Sequence, residues 1–188
     1  MIKLGYALCG SFCTIADSVL QIEKLVSKGY DIYPILSPIV MKANTRFGKA
    51  DELKEKIKKL TGKEIIDSIE MAEPIGPKRM FDALVVCPCT SNTMAKLCYG
   101  ITDTSVTMAV KSHIRNDSPV IIALATNDAL GASAKNIGYL LSRKNFYFVP
   151  FEQDDPVNKK RSMIADFNLL EDTVNNALNG VQVTPIIK

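Results

Sequence analysis

Two short stretches gather glycine, hydroxyl and amide side chains where a chain could grip an anion. They are Cys9-Gly10-Ser11-Phe12-Cys13-Thr14 and Pro88-Cys89-Thr90-Ser91-Asn92-Thr93. Each follows an apolar run and precedes a helical pattern. A glycine lets the backbone come close to a ligand, hydroxyls such as those of Ser11 and Thr14 donate hydrogen bonds, and the free N–H groups of a starting helix attract negative charge. Phosphate binding is the chemistry this suits; the competing role is plain capping of the next helix by Ser11 or Thr14. Gly5 and Gly10 have the glycine spacing of a nucleoside triphosphatase phosphate loop, but Ser11 and Phe12 stand where its Lys and Ser/Thr belong. The G-x-G-x-x-G dinucleotide fingerprint is absent as well. With a third polar segment in Thr126-Asn127-Asp128, a shared pocket is favoured over three separate caps.

Such loops need elements to hold them. Ile2 to Leu8 is a continuous apolar run, the pattern of a strand buried on both faces. Ile15, Val19, Ile22, Leu25 and Val26 recur at helical spacing up to Gly29, and Tyr30 to Leu36 reads as a second strand. After a polar stretch with Asn44, Thr45, Arg46 and Gly48, an amphipathic helix carries Leu53, Ile57 and Leu60. Its lysines alternate with acidic residues and read as a solvated face. Further strands are expected at Ala83 to Cys87, Val120 to Ala125 and Phe146 to Val149. Helices are expected at Thr93 to Cys98, at Thr104 to Arg115 with His113 on its surface, through Leu130, Ala134, Ile137, Leu140 and Leu141, and through Phe167, Leu170, Val174 and Leu178. Asp128 is expected to cap a helix starting at Ala129. Lys159-Lys160-Arg161 beside Asp154-Asp155 reads as a solvated loop.

Buried strands alternating with helices imply an α/β chain: a Rossmann-like three-layer α/β/α arrangement with a mostly parallel sheet. Ligands of such sheets bind outside the carboxyl ends of the strands, where both hydroxyl-rich loops would lie. Residues 1–188 read as a single domain, since neither a repeat nor a low-complexity linker interrupts them. With 23 basic and 20 acidic residues the net charge is only +3, which argues against a nucleic-acid partner. No apolar run approaches the roughly 18 residues of a membrane span. A cytoplasmic protein with reduced thiols is expected from the five cysteines and the strand-like first residues. Cys87-Pro88-Cys89 and the one histidine do not make a metal site.

The Gly10-Ser11 loop, Pro88 to Thr93, and Ala95-Lys96-Leu97-Cys98-Tyr99-Gly100-Ile101-Thr102-Asp103 resemble the flavoprotein family that contains the cysteine decarboxylases of coenzyme A and lantibiotic synthesis. Further resembling strings include Asn44-Thr45-Arg46-Phe47-Gly48, Thr126-Asn127-Asp128-Ala129-Leu130-Gly131 and Pro150-Phe151-Glu152-Gln153-Asp154-Asp155-Pro156, so the likeness spans nearly the whole chain. Within the family the likeness is greatest to the branch that makes dipicolinate. The resemblance implies a homo-oligomeric flavoprotein with FMN phosphate near Gly10, Ser11, Ser37 and the Thr90-Ser91-Asn92-Thr93 loop. It implies a role in oxidising dihydrodipicolinate to dipicolinate during sporulation, together with a separate nucleotide-binding partner, the A subunit, which carries NAD(P). For a substrate with two carboxylates, Arg46 is the expected carboxylate ligand, with Asn44 and Asn127 as amide donors; a loop-bracing salt bridge or an intersubunit contact is the other role open to Arg46. A decarboxylase or prenyltransferase-like flavoenzyme and a non-catalytic scaffold are the alternatives. The decarboxylase branch carries a histidine after the second strand, where this chain has Ser37-Pro38-Ile39-Val40-Met41-Lys42.

Overall fold

The computed structural model describes residues 1–188. Apolar runs become strands β1 (Lys3–Leu8), β2 (Asp31–Leu36), β3 (Ala83–Cys89), β4 (Val120–Thr126) and β5 (Phe146–Phe148), interleaved with helices. The helices are α1 (Ile15–Ser27), α2 (Pro38–Lys42), α3 (Ala50–Thr61), α4 (Ile69–Ala72), α5 (Ser91–Tyr99), α6 (Ser105–Ile114), α7 (Ala134–Leu141) and α8 (Leu170–Leu178). β1 to β5 are parallel and lie in the order β2-β1-β3-β4-β5, while β6 (Phe151–Glu152) and β7 (Met163–Ala165) form an antiparallel pair joined to the end of β4. The chain leaves β1 toward β2, then returns to the other side of β1 as β3. That reversal opens a crevice at the carboxyl ends of β1 and β3.

β3 is buried along its whole length and β1 from Leu4 onward, because helices cover both faces of the sheet. α1 packs against β1, β2 and β3 on one face and α6 against β2 and β3 on the other. Tyr6 Oη donates to the Ser18 carbonyl of α1 at 3.1 Å, and Ser18 Oγ donates to the Cys87 carbonyl of β3 at 2.6 Å. The polar groups that β1, α1 and β3 bury together are thus satisfied by one another.

The structure corrects the sequence reading at several points. Pro38–Lys42 is a short helix and residues 151–165 carry the β6–β7 pair; neither is expected from the sequence, because both are shorter than a period can reveal. No helix starts at Ala129. Asp128 instead braces a turn, accepting from Ala132 N at 3.3 Å and Ser133 Oγ at 3.4 Å, and Leu130 is exposed. The turn is tight: a Cβ on Gly131 would meet Asp128 Oδ1 at 2.3 Å. His113 is not on a surface. It is 1% exposed, lies 6.2 Å from the Phe81 ring, and its Nε2–H donates to the Pro119 carbonyl at 3.1 Å. α6 buries Val106, Ala109, Val110, Ser112 and His113, more than one face of a helix, since α4 packs on its far side.

Burial pushes the His113 ring down to about 4, against the hydrogen bond to Pro119 and the charge of Asp82. A base with a depressed folded pKa leaves the unfolded chain as the better proton acceptor. Its contribution to stability is therefore complete above about pH 6.5 and is lost as pH falls toward 4. We expect wild type to lose about 3 kcal/mol through this group over that interval. His113→Gln should show a flatter stability profile there in urea titrations at stepped pH, and parallel profiles for the two proteins would refute the assignment.

Candidate functional site

Where the sheet reverses, the loops after β1 and β3 meet. Cys9 N donates to the Pro88 carbonyl at 3.2 Å, and Thr93 Oγ1 donates to Cys9 Sγ at 3.2 Å. Above them opens a cleft of about 590 Å³. Its floor carries Gly10, Ser11, Thr14, Thr90, Ser91 and Thr126, and Arg46, Asn127, Asp154 and Lys159 stand among the residues around it. Next to it an apolar pocket of about 270 Å³ runs under Phe12, Cys13 and Phe47 toward Val19 and Leu53. A hydroxyl-rich floor thus adjoins an apolar slot, the pairing of surfaces that small-molecule sites use.

Most sequence-predicted residues converge here. Gly10 is closely packed, since a Cβ there would meet Ile39 Cγ2 at 2.8 Å and push that side chain aside. Thr14 is buried and turned inward, its Oγ1 donating to the Ser11 carbonyl and to Ser11 Oγ, both at 3.0 Å, so it orients the Ser11 hydroxyl. Thr90 is the N-cap of α5, its Oγ1 accepting from Thr93 N at 3.4 Å and donating to Thr93 Oγ1 at 3.2 Å. Ser91 lines the cleft at the first turn of α5, where the helix dipole favours an anion. Thr93 is buried behind this turn, and Asn92 is exposed beside it; neither lines the cleft. Ser37 lies one strand over, its N–H donating to the Leu8 carbonyl at 3.1 Å. Its Oγ is the one buried side-chain oxygen without a hydrogen-bond partner, and Ser37 does not itself line the cleft.

The polar residues around the cleft divide by function. Arg46 is exposed, forms no salt bridge, and lies over the Phe47 ring at 4.8 Å. Asn127 lines the cleft, whereas Asn44 faces away and accepts from Ala50 N at 3.0 Å, bracing the start of α3. Sequence reasoning missed Asp154, Lys159 and Ser162, which reach the cleft on the loop between β6 and β7. The string Pro150 to Pro156 marked that loop, but its two-residue strand β6 left no periodicity to show where it folds back.

Among the thiols, burial raises Cys9 to about 11 and Cys87 to about 12, and pushes Cys89 well above the usual thiol range. Cys98 is half-buried and also raised by burial, while Cys13 is exposed on the cleft wall. At pH 8 Ellman's reagent should therefore find one fast thiol in the folded chain, a slower one, and all five after denaturation. Cys13→Ser should erase the fast phase. Two or more fast phases would contradict this placement.

The Flavoprotein family profile matches residues 1–177. The chain is 46% identical over 185 residues to the B subunit of dipicolinate synthase from Bacillus subtilis (strain 168), covering 98% of this chain and 92% of that one. A crystal structure of the dipicolinate synthase B subunit from Bacillus halodurans superposes with a TM-score of 0.91 at 39% identity, covering 100% of this chain and 96% of the other. The FMN-dependent cysteine decarboxylase SpaF shares the fold alone, with a TM-score of 0.68 at 21% identity over 94% of this chain and 97% of the decarboxylase.

Proposed function

This chain belongs to the Flavoprotein family, and we propose that it is the B subunit of a dipicolinate synthase, binding FMN in the cleft at the β1–β3 reversal. It works with the synthase's A subunit, on which the nicotinamide nucleotide is carried, to oxidise dihydrodipicolinate to dipicolinate during sporulation. The observation that carries this reading is 46% identity over 98% of the chain to a protein of that name. Residues 1–188 act as one domain, and the chain assembles as a homo-oligomer through surfaces that leave Tyr99 68% and Leu130 51% exposed in the single chain.

The residues present fit a flavin phosphate. Gly10, Ser11 and Ser91 line the cleft, Ser11 oriented by Thr14 and Ser91 opening α5 above the Thr90 cap, and Ser37, behind that lining at the end of β2, keeps an unpartnered hydroxyl. Asn92 and Thr93 support that turn from behind, Thr93 through Thr90 and Cys9. Aromatising a dihydropyridine removes a hydride and a proton, and FMN when bound supplies a hydride acceptor. The chain's own part is to bind and orient: Arg46 grips one carboxylate with its planar fork and Asn127 adds an amide donor, while Asn44 acts indirectly by fixing the loop that carries Arg46.

A decarboxylase reading is disfavoured by the position of the one histidine. Its ring reaches Pro119, at the amino end of β4, the sheet edge opposite the cleft.

Ser37→Ala removes a hydroxyl that bonds nothing in the chain, so the melting temperature without flavin should stay put or rise slightly. FMN affinity, followed by flavin fluorescence quenching, should fall about tenfold. Unchanged affinity would take Ser37 out of the phosphate site.

Mixed with the A subunit, dihydrodipicolinate and an oxidised nicotinamide, the chain should form dipicolinate, and omitting either protein should abolish it. In that assembly Arg46→Lys should weaken dipicolinate binding about tenfold to a hundredfold, the loss of a charge-assisted bidentate contact of about 1.5–3 kcal/mol. Full turnover by this chain on its own would overturn the division of labour.

A further inference from the structure

Lys159 reads in the sequence as part of a solvated basic run, yet it stands on the cleft. We propose that Lys159 is a second carboxylate anchor, facing Arg46 across the floor, and that Asp154 is the positioning residue that holds its ammonium there. The proposal deepens the dicarboxylate reading above and rests on it.

Arg46 and Lys159 are the two cations that line the cleft, and Asp154 is its one carboxylate. They arrive from opposite sides of the sheet. Arg46 belongs to the loop between α2 and α3, on the β2 side, and Lys159 to the loop between β6 and β7, beyond β4. The hydroxyl residues that line the same cleft, Ser11, Thr90, Ser91 and Thr126, carry no formal charge. A molecule with one carboxylate can engage one rim only. A ring with a carboxylate on each side of its nitrogen can engage both, which is selectivity for a dicarboxylate.

Lys159 Nζ donates to Asp154 Oδ2 at 2.9 Å. An ammonium has three N–H donors, so two remain for a ligand. Burial works to raise the Asp154 carboxyl, but Ser162 and Lys159 outweigh it and hold it below the usual carboxylate range, so it stays ionised at neutral pH. The Lys159 side chain is 57% exposed against 24% for Asp154, as expected of a fixed carboxylate with a cation reaching outward from it.

The loop does not need the ammonium to keep its shape. Lys159 N donates to the Asp155 carbonyl at 2.8 Å, Asn158 N to Asp155 Oδ1 at 2.9 Å, Ser162 N to the Lys159 carbonyl at 2.9 Å, and Gln153 Nε2 to the Lys160 carbonyl at 2.9 Å. A surface ion pair with no ligand would contribute little to stability and nothing to recognition.

The test is calorimetric titration of the intact chain with dipicolinate and with picolinate, which has a single carboxylate, with melting curves alongside. Lys159→Met should weaken dipicolinate about tenfold or more while leaving picolinate and the melting temperature nearly unchanged. Lys159→Arg should retain most of the dicarboxylate preference, and Asp154→Asn should lose part of it. If Lys159→Met binds dipicolinate as wild type does while Arg46→Lys does not, Lys159 is a surface ion pair and the proposal fails, though the dicarboxylate reading stands. Equal loss of both acids together with a lower melting temperature would assign the side chain to loop structure and also overturn the proposal. If wild type binds neither acid, the dicarboxylate reading fails and takes the second anchor with it.

Discussion

The site depends on how tightly the ends of β1 and β3 are tied across the point where the sheet reverses. Ser18 Oγ holds the Cys87 carbonyl, Tyr6 Oη holds Ser18, Cys9 N holds the Pro88 carbonyl, and Thr93 Oγ1 holds Cys9 Sγ. All of these groups are buried, and leaving one buried partner unsatisfied costs about 1–3 kcal/mol. The loops that follow β1 and β3 are therefore positioned as one unit. Ser11 and Thr90 keep their relation to each other because the residues beneath them cannot shift separately.

That rigidity explains where the charge is placed. The floor is made of hydroxyls, a helix start and a glycine, which can solvate an anion without a buried ion. A buried charge would need full pairing and would compete with a ligand for it. The cations are instead on the longer loops around the floor, where water keeps them ionised at little cost. The chain's net charge of +3 says little about this arrangement; locally, two cations against one carboxylate beside neutral hydroxyls leave the cleft with a positive balance.

The strands and most helices were legible because β1, β3 and β4 are buried apolar runs and α1 and α3 present one apolar stripe each. The reversal loops were legible because small polar residues cluster directly after such runs. What escaped had no period to display. α2 has five residues, β6 two and β7 three, too few for alternation or helical spacing to stand out. His113 was misplaced because α6 is covered on two sides, so its polar residues point inward as often as its apolar ones. Ser112 Oγ shows how that is tolerated: it donates to the Glu73 carbonyl and accepts from Gly76 N at 2.8 Å. Lys159 does lie on a solvated loop, as its sequence reads, but its place on the cleft was hidden for a different reason. Its neighbours are charged and its loop is exposed, and only the tertiary return of β7 to the end of β4 brings one of three adjacent cations onto the cleft.

The charged side chains that line the cleft are few: Arg46, Asp154 and Lys159, with the thiol of Cys13 beside them. Arg46 and Lys159 are cations at neutral pH, and Asp154 is an anion held by one of them. The one histidine is buried at the far edge of the sheet and pushed down to about 4, so it supplies no proton shuttle near pH 7. The remaining thiols are burial-raised and do not line the cleft. Side chains of these kinds suit holding an anion better than moving protons. Hydride and proton chemistry at such a site is the kind that a bound cofactor supplies.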